Sequence, residues 1–175
     1  MTRRRNRVQE AADEQGLGEV LDFMRVIWAL DHSMQRTSKR MERDLGVTGL
    51  QRLVIRVVGR FPSISAGRLA ELLHVHPSTL TGVLGRLERH GMLRRRSDPR
   101  DKRRSLLGLT DKGRELDVQA EGTIEAAIQS VLGRGDRRKI EAAREVLGAI
   151  THTLKTGEST PHDSSHMHAD RSGPT

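Results

Sequence analysis

Apolar residues recur, mostly at three-, four- and seven-residue steps, from Leu17 through Leu21, Met24, Ile27, Trp28, Met34 and Met41 to Leu45, which predicts one long amphipathic helix stopped at Gly46. The stretch "VTGLQRLVIRVVGRFP" restarts the pattern. Thr48 with Gln51 three residues later is a capping-box signature, and Leu50, Leu53, Val54, Val57 and Phe61 are the expected buried side before Pro62 closes the helix. Ser65 is the expected N-cap of a short third helix with Leu69, Leu72 and Leu73 inward, and His74 falls where a left-handed C-terminal residue belongs. Pro77 suits the first position of a further helix whose inward residues are Leu80, Val83, Leu84 and Leu87 and whose stop is Gly91. Two short helices across a tight turn form a helix-turn-helix, here with Ser78, Thr79, Thr81, Gly82, Arg86 and Arg89 on the outward side of the second.

Beyond Gly91 the period drops towards two in "MLRRRS", "DPRDK" and "RRSLLGLT", which predicts a β-hairpin. Thr110 is then expected to cap a long helix through Leu116, Ala120, Ile124, Ile128 and Val131, with "GRGD" breaking it before a last helix bearing Ile140, Val146, Leu147, Ile150 and Leu154. The fold class is therefore mainly α with a small β-hairpin, a winged helix-turn-helix flanked by long terminal helices. Residues 1–15 are a polar basic arm without apolar period, and residues 156–175 carry too little apolar surface to offset their ordering entropy, so that tail is expected to be disordered.

At 175 residues the chain suits one domain with its own core, yet only 34% of residues are hydrophobic and 2% aromatic, so the apolar stripes are thin. Long stripes at both ends around a small central module leave more apolar surface than a monomer normally shows. A formal charge of +8 favours a polyanionic partner, nucleic acid ahead of an acidic membrane or protein. The charge is concentrated in the hairpin: seven basic and two acidic residues lie in the eleven from Arg94 to Arg104. The sequence has no Cys, which excludes disulfides, thiolate zinc sites and thiol-based redox sensing. No apolar run approaches a membrane span and the basic start "MTRRRNRVQE" leads into polar residues, so a soluble, cytoplasmic protein is expected.

Enzymatic signatures are missing: there is no nucleophile elbow, no phosphate-cradling glycine loop and no Cys nucleophile. His162, His166 and His168 lie close together in the tail, with His152 upstream, but a flexible segment without rigid supporting partners makes a weak site, so neither metal nor other cofactor is expected.

The segment "LAELLHVHPSTLTGVLGRLERHGMLRRRSDPRDKRRSLLGLTDKGREL" resembles the multiple-antibiotic-resistance regulator (MarR) family. Four linked motifs carry the resemblance in order: "LAELL", "STLT" with "RLERHG", the hairpin "DPRDKR" with Asp101 and Arg103, and "LTDKGREL". The detailed match covers roughly residues 62–116, and the helix pattern agrees over 17–155. The resemblance implies a homodimeric transcription factor, usually a repressor, in residues 16–155: a DNA-binding lobe over about 48–110 and dimerisation helices over about 17–45 and 111–155. It also implies a small aromatic or phenolic effector bound in a cleft, for which Met24, Trp28 and His32 are candidates, with packing in the dimer core as their alternative role.

A duplex major groove admits one helix, and a two-fold dimer presents two about one helical turn apart, so the expected operator is a near-palindrome in double-stranded DNA. Thr79 and Thr81 are the expected base readers and Ser78 a phosphate or base contact, while helix capping is the alternative for Ser78 and Thr79. The resemblance adds Arg86 as a DNA contact, and Gly82 and Gly85 depart from the longer polar side chains of the family. Arg103 is expected to enter the minor groove, Arg100 and Lys102 to reach backbone phosphates, and Asp101, by resemblance, to anchor the wing arginine. Arg94, Arg95 and Arg96 alternate across a strand, so one side must pair or snorkel. A winged module that binds protein without reading DNA is the main alternative; RNA binding is disfavoured by the lack of stacking aromatics.

Overall fold

Gly46 ends the first helix, α1 (Glu19–Leu45), by adopting φ 71°, from which its N–H reaches the Glu42 carbonyl. The computed structural model describes residues 18–99, 101 and 105–157, so the 1–15 arm, Leu17 and most of the expected disordered tail lie outside the described residues. The chain divides into two units, up to Gln129 and from Ser130 onward, which are described separately.

In the first unit α1 is followed by α2 (Gly49–Arg60), α3 (Ala66–Leu73), α4 (Pro77–Arg89), the hairpin strands β1 (Leu93–Ser97) and β2 (Ser105–Leu109), and α5 (Asp111–Glu115). A further helix, α6 (Ile124–Leu132), starts in this unit. The expected caps are present. Thr48 and Gln51 close a reciprocal capping box on α2, Ser65 accepts from Arg68 N–H at α3, and Thr110 accepts from Gly113 N–H at α5. His74 occupies the left-handed region at φ 53°, and Pro77 is the first residue of α4.

The core lies where α2, α3, α4 and the hairpin meet. Val54, Ile55, Val58, Leu69, Leu80, Leu84, Leu87, Leu93 and Leu107 are buried there. The strands pair antiparallel from Leu93 opposite Leu109 to Ser97 opposite Ser105, and the chain before α3 extends the hairpin through an isolated bridge between Ser65 and Leu106. Alternation then sends Leu93, Leu107 and Leu109 into the core and leaves Arg94 and Arg96 outside. A Cβ on Gly113 would overlap the Met92 carbonyl oxygen, so the missing side chain lets α5 sit against the start of β1.

Three sequence expectations need correction. Leu53 and Phe61 are half exposed, at 47% and 50%, while Arg52 and Gln51 are buried. Gln51 is consumed by the capping box, and Arg52 turns towards carbonyl acceptors, so the buried face of α2 is rotated relative to the purely apolar reading. Leu72 is likewise 42% exposed, leaving Leu69 as the buried leucine of α3. The long helix expected from Thr110 through Val131 is broken after Glu115 and resumes at Ile124.

The cause of the break is visible in where the backbone hydrogen bonds go. Arg52 donates to the Leu116 carbonyl at 2.9 Å, to the Val118 carbonyl at 2.6 Å and to the Glu125 carboxylate at 2.8 Å. Arg56 donates to the Asp117 carbonyl and pairs with its carboxylate at 2.6 Å. Carbonyls held in this way are withdrawn from a helical ladder. Gly122 at φ 72° and Thr123, whose hydroxyl accepts from Ala126 N–H at 3.2 Å, then start α6 afresh.

In the second unit α7 (Arg137–Thr156) is capped by Asp136, which accepts from the Arg138 and Lys139 N–H groups, and ends at left-handed Gly157. None of its residues is buried, and Val146, Leu147 and Leu154 stay exposed.

Candidate nucleic-acid interface

Four buried residues, Leu80, Val83, Leu84 and Leu87, fix the rotation of α4 and so decide what its outer side presents. Ser78, Thr79, Thr81, Gly82, Arg86 and Arg89 are all exposed, as the period demands. The three hydroxyls are not equivalent. Ser78 shares a 2.7 Å hydrogen bond with His76 Nδ1, which also accepts from the Ser78 N–H and thus caps the helix. Thr81 donates to the Pro77 carbonyl at 2.9 Å, leaving its hydroxyl oxygen as an acceptor only. The Thr79 and Arg86 side chains make no hydrogen bond or ion pair with the described residues, so both are available to a ligand. Arg89 folds back onto the Gly85 carbonyl at 3.3 Å.

Gly82 and Gly85 carry nothing within 4 Å of an added Cβ. Gly82→Ala and Gly85→Ala are therefore each expected to stabilise the fold by about 0.5–1 kcal/mol, from helix propensity alone. A higher urea midpoint for both variants checks this, and a lowered midpoint would reveal contacts that the helix geometry does not show.

The hairpin follows α4 after the turn at Gly91, φ 69°. Arg95 pairs with Glu88 at 2.6 Å, which ties β1 to the last turn of α4. Arg94 and Arg96 lie on the other strand face. Asp101 is exposed; Arg100, Lys102 and Arg103 lie outside the described residues.

Met24, Trp28 and His32 are exposed on α1 and do not line the cavity formed by the neighbouring helices. A cavity of about 520 Å³ begins further along the helix, lined by Met34 and Met41 of α1, Leu50 and Leu53 of α2, and Ile124 and Ile128 of α6. Arg52 and Glu125 also line it. The sequence reading missed this cavity and the Arg52 network beside it. The available signal was a pair of arginines, Arg52 and Arg56, four residues apart in the otherwise apolar run "RLVIRVV". Among the described residues no His, Asp and Glu grouping suits a metal ion, and no helix is long and apolar enough to cross a membrane.

A helix-turn-helix pair followed by a two-stranded wing defines a winged-helix DNA-binding fold. Residues 45–104 match the family model described as MarR family. The chain is 32% identical over 160 residues to the transcriptional activatory protein BadR of Rhodopseudomonas palustris, covering 88% of this chain and 84% of that protein. It shares the fold of the S. aureus MepR–DNA complex, with a TM-score of 0.63 and 19% identity over 75% of this chain and 97% of that one. The PcaV regulator from Streptomyces coelicolor, solved with its natural ligand, gives a TM-score of 0.61 and 23% identity over 74% and 91%. The chain belongs to the MarR family of transcription regulators.

Proposed function

We propose that the protein is a homodimeric, sequence-specific repressor that binds a near-palindromic site in double-stranded DNA and is released by a small aromatic or phenolic effector. The observation that carries the reading is the polar outer side of α4, with Thr79 and Arg86 unengaged and a basic hairpin directly after it. MepR, which shares the fold, is solved on DNA. In this proposal Thr79 and Thr81 meet base edges, Ser78 and Arg86 meet backbone or base, Arg103 enters the minor groove and Arg100 and Lys102 reach backbone phosphates, with Asp101 anchoring the wing.

Dimerisation is supported by apolar side chains left in water. Val20, Leu21, Val26, Trp28 and Leu30 on α1 are each more than half exposed, as is Leu154 on α7. A second copy would cover such faces. The effector reading is supported by the 520 Å³ cavity among α1, α2 and α6, whose size and apolar lining suit a small organic molecule, and by PcaV having been solved with a ligand. Met24, Trp28 and His32 stand on α1 before that cavity and serve effector entry or the dimer face. The proposed compartment is the cytoplasm, where the DNA is.

Light scattering of the full chain at micromolar concentration, followed by a gel shift on fragments flanking its own gene, tests the reading. A dimer that shifts a native fragment in preference to a random one is expected. A monomer, or equal retention of both fragments, would contradict it.

A further inference from the structure

The run Arg94, Arg95, Arg96 does not act as one block of charge. Strand alternation separates it. The middle guanidinium is neutralised by Glu88 at 2.6 Å, whereas Arg94 and Arg96 project on the opposite side, across from Gly108 and Leu106. There they rim a groove of about 460 Å³ whose floor includes Val58, Pro62 and Leu106.

Two other charged groups line the groove, and both are already satisfied. Arg114 pairs with Asp111 and donates to the Leu109 carbonyl at 3.2 Å, and Asp117 is held by Arg56 at 2.6 Å. The Arg94 and Arg96 side chains make no hydrogen bond or ion pair with the described residues. The groove therefore presents two uncompensated positive charges over hydrocarbon, with their Cα atoms roughly 7 Å apart by strand geometry. None of its lining residues comes from α3 or α4, so an occupant would not cover Ser78, Thr79 or Thr81. It also shares no lining residue with the cavity among α1, α2 and α6.

We propose that this groove is a binding site for an organic dianion, a dicarboxylate whose apolar body lies on the Val58, Pro62 and Leu106 floor while its carboxylates meet Arg94 and Arg96. Charge complementarity selects the class. A monocarboxylate leaves one guanidinium without a partner, and an inorganic anion leaves the hydrocarbon floor uncovered. Guanidinium pairs with carboxylate and phosphate alike in two-pronged geometry, so the separation of the two arginines and the hydrocarbon floor between them are what favour a dicarboxylate over a compact phosphate group. Gly108 sets the depth of the floor: the Arg94 side chain crosses it, with Nε 3.8 Å from an added Cβ. A branched side chain at that position would fill the space and push Arg94 aside.

Isothermal titration of the full chain without DNA, at physiological salt, tests the site with terephthalate, benzoate and sulfate as probes. Saturable binding of terephthalate at one site per chain is expected, about tenfold or more tighter than benzoate, since one charge-assisted contact is lost with the second carboxylate. Sulfate is expected to bind more weakly than terephthalate. Arg94→Gln with Arg96→Gln, and separately Gly108→Val, which keeps both charges, are expected to lower terephthalate affinity by about tenfold or more. Arg137→Gln, on α7, is expected to leave it unchanged. Equal affinity for the three anions, no saturable terephthalate binding, or full affinity in the Arg94→Gln/Arg96→Gln protein would overturn the proposal. Because the readout contains no DNA, these outcomes are independent of whether the operator reading holds.

Discussion

Arg52→Ala is expected to lower folding stability by about 3 kcal/mol, the lower end of the range for breaking a buried ion pair. Arg52 is 2% exposed and supplies hydrogen bonds to the Leu116 and Val118 carbonyls and to Glu125. Removing it takes the guanidinium donor from both carbonyls, at greater cost for half-buried Leu116 than for exposed Val118, and leaves Glu125 with its weaker 3.5 Å contact to Arg56. Glu125 is itself 30% exposed, so solvent partly compensates it and the upper end of the range is not reached. Arg52→Met, which fills the space without donating, is expected to recover only the packing part. The measurement is urea unfolding at fixed protein concentration with Trp28 fluorescence. A loss below about 1 kcal/mol for Arg52→Ala would show that the carbonyls find water and that the network is peripheral.

Loss of DNA affinity should separate wing from helix. Arg103→Ala is expected to weaken binding roughly tenfold to a hundredfold on every duplex alike, because the proposed dimer would lose two cationic contacts and the salt slope would fall by about 2. Thr79→Ala is expected to leave the salt slope unchanged and to compress the preference for native over altered sites by roughly tenfold, since a base contact carries sequence information and a phosphate contact does not. Salt titrations of both variants on matched and mismatched duplexes give the two numbers. Unchanged affinity in Arg103→Ala would remove the wing from the interface.

The parts of the fold that could be read from the sequence are those governed by local chemistry. Thr48 with Gln51, Ser65, Pro77 and Thr110 each start a helix where expected, because a cap depends on neighbours within three residues. The inward side of α4 was legible because four apolar residues recur at a clean period. The break after Glu115 was not, since Leu116 to Thr123 continues a passable helical pattern and its carbonyls are captured by Arg52 and Arg56, more than sixty residues earlier. A long-range donor leaves no periodic trace. Leu53 was misplaced for the same reason: the buried cation took the position on α2 that apolar periodicity assigned to a leucine. Within the candidate interface, the outward residues of α4 could be listed from sequence, yet only the structure distinguishes the unengaged Thr79 side chain from Ser78 and Thr81, whose hydroxyls already serve the helix start.

Selection of a randomised duplex library by the full-length protein, at physiological ionic strength, tests dimeric sequence reading most directly. Enrichment of a near-palindrome with half-sites about one helical turn apart is expected. A pool that stays random, or converges on a single unrepeated half-site, would contradict it.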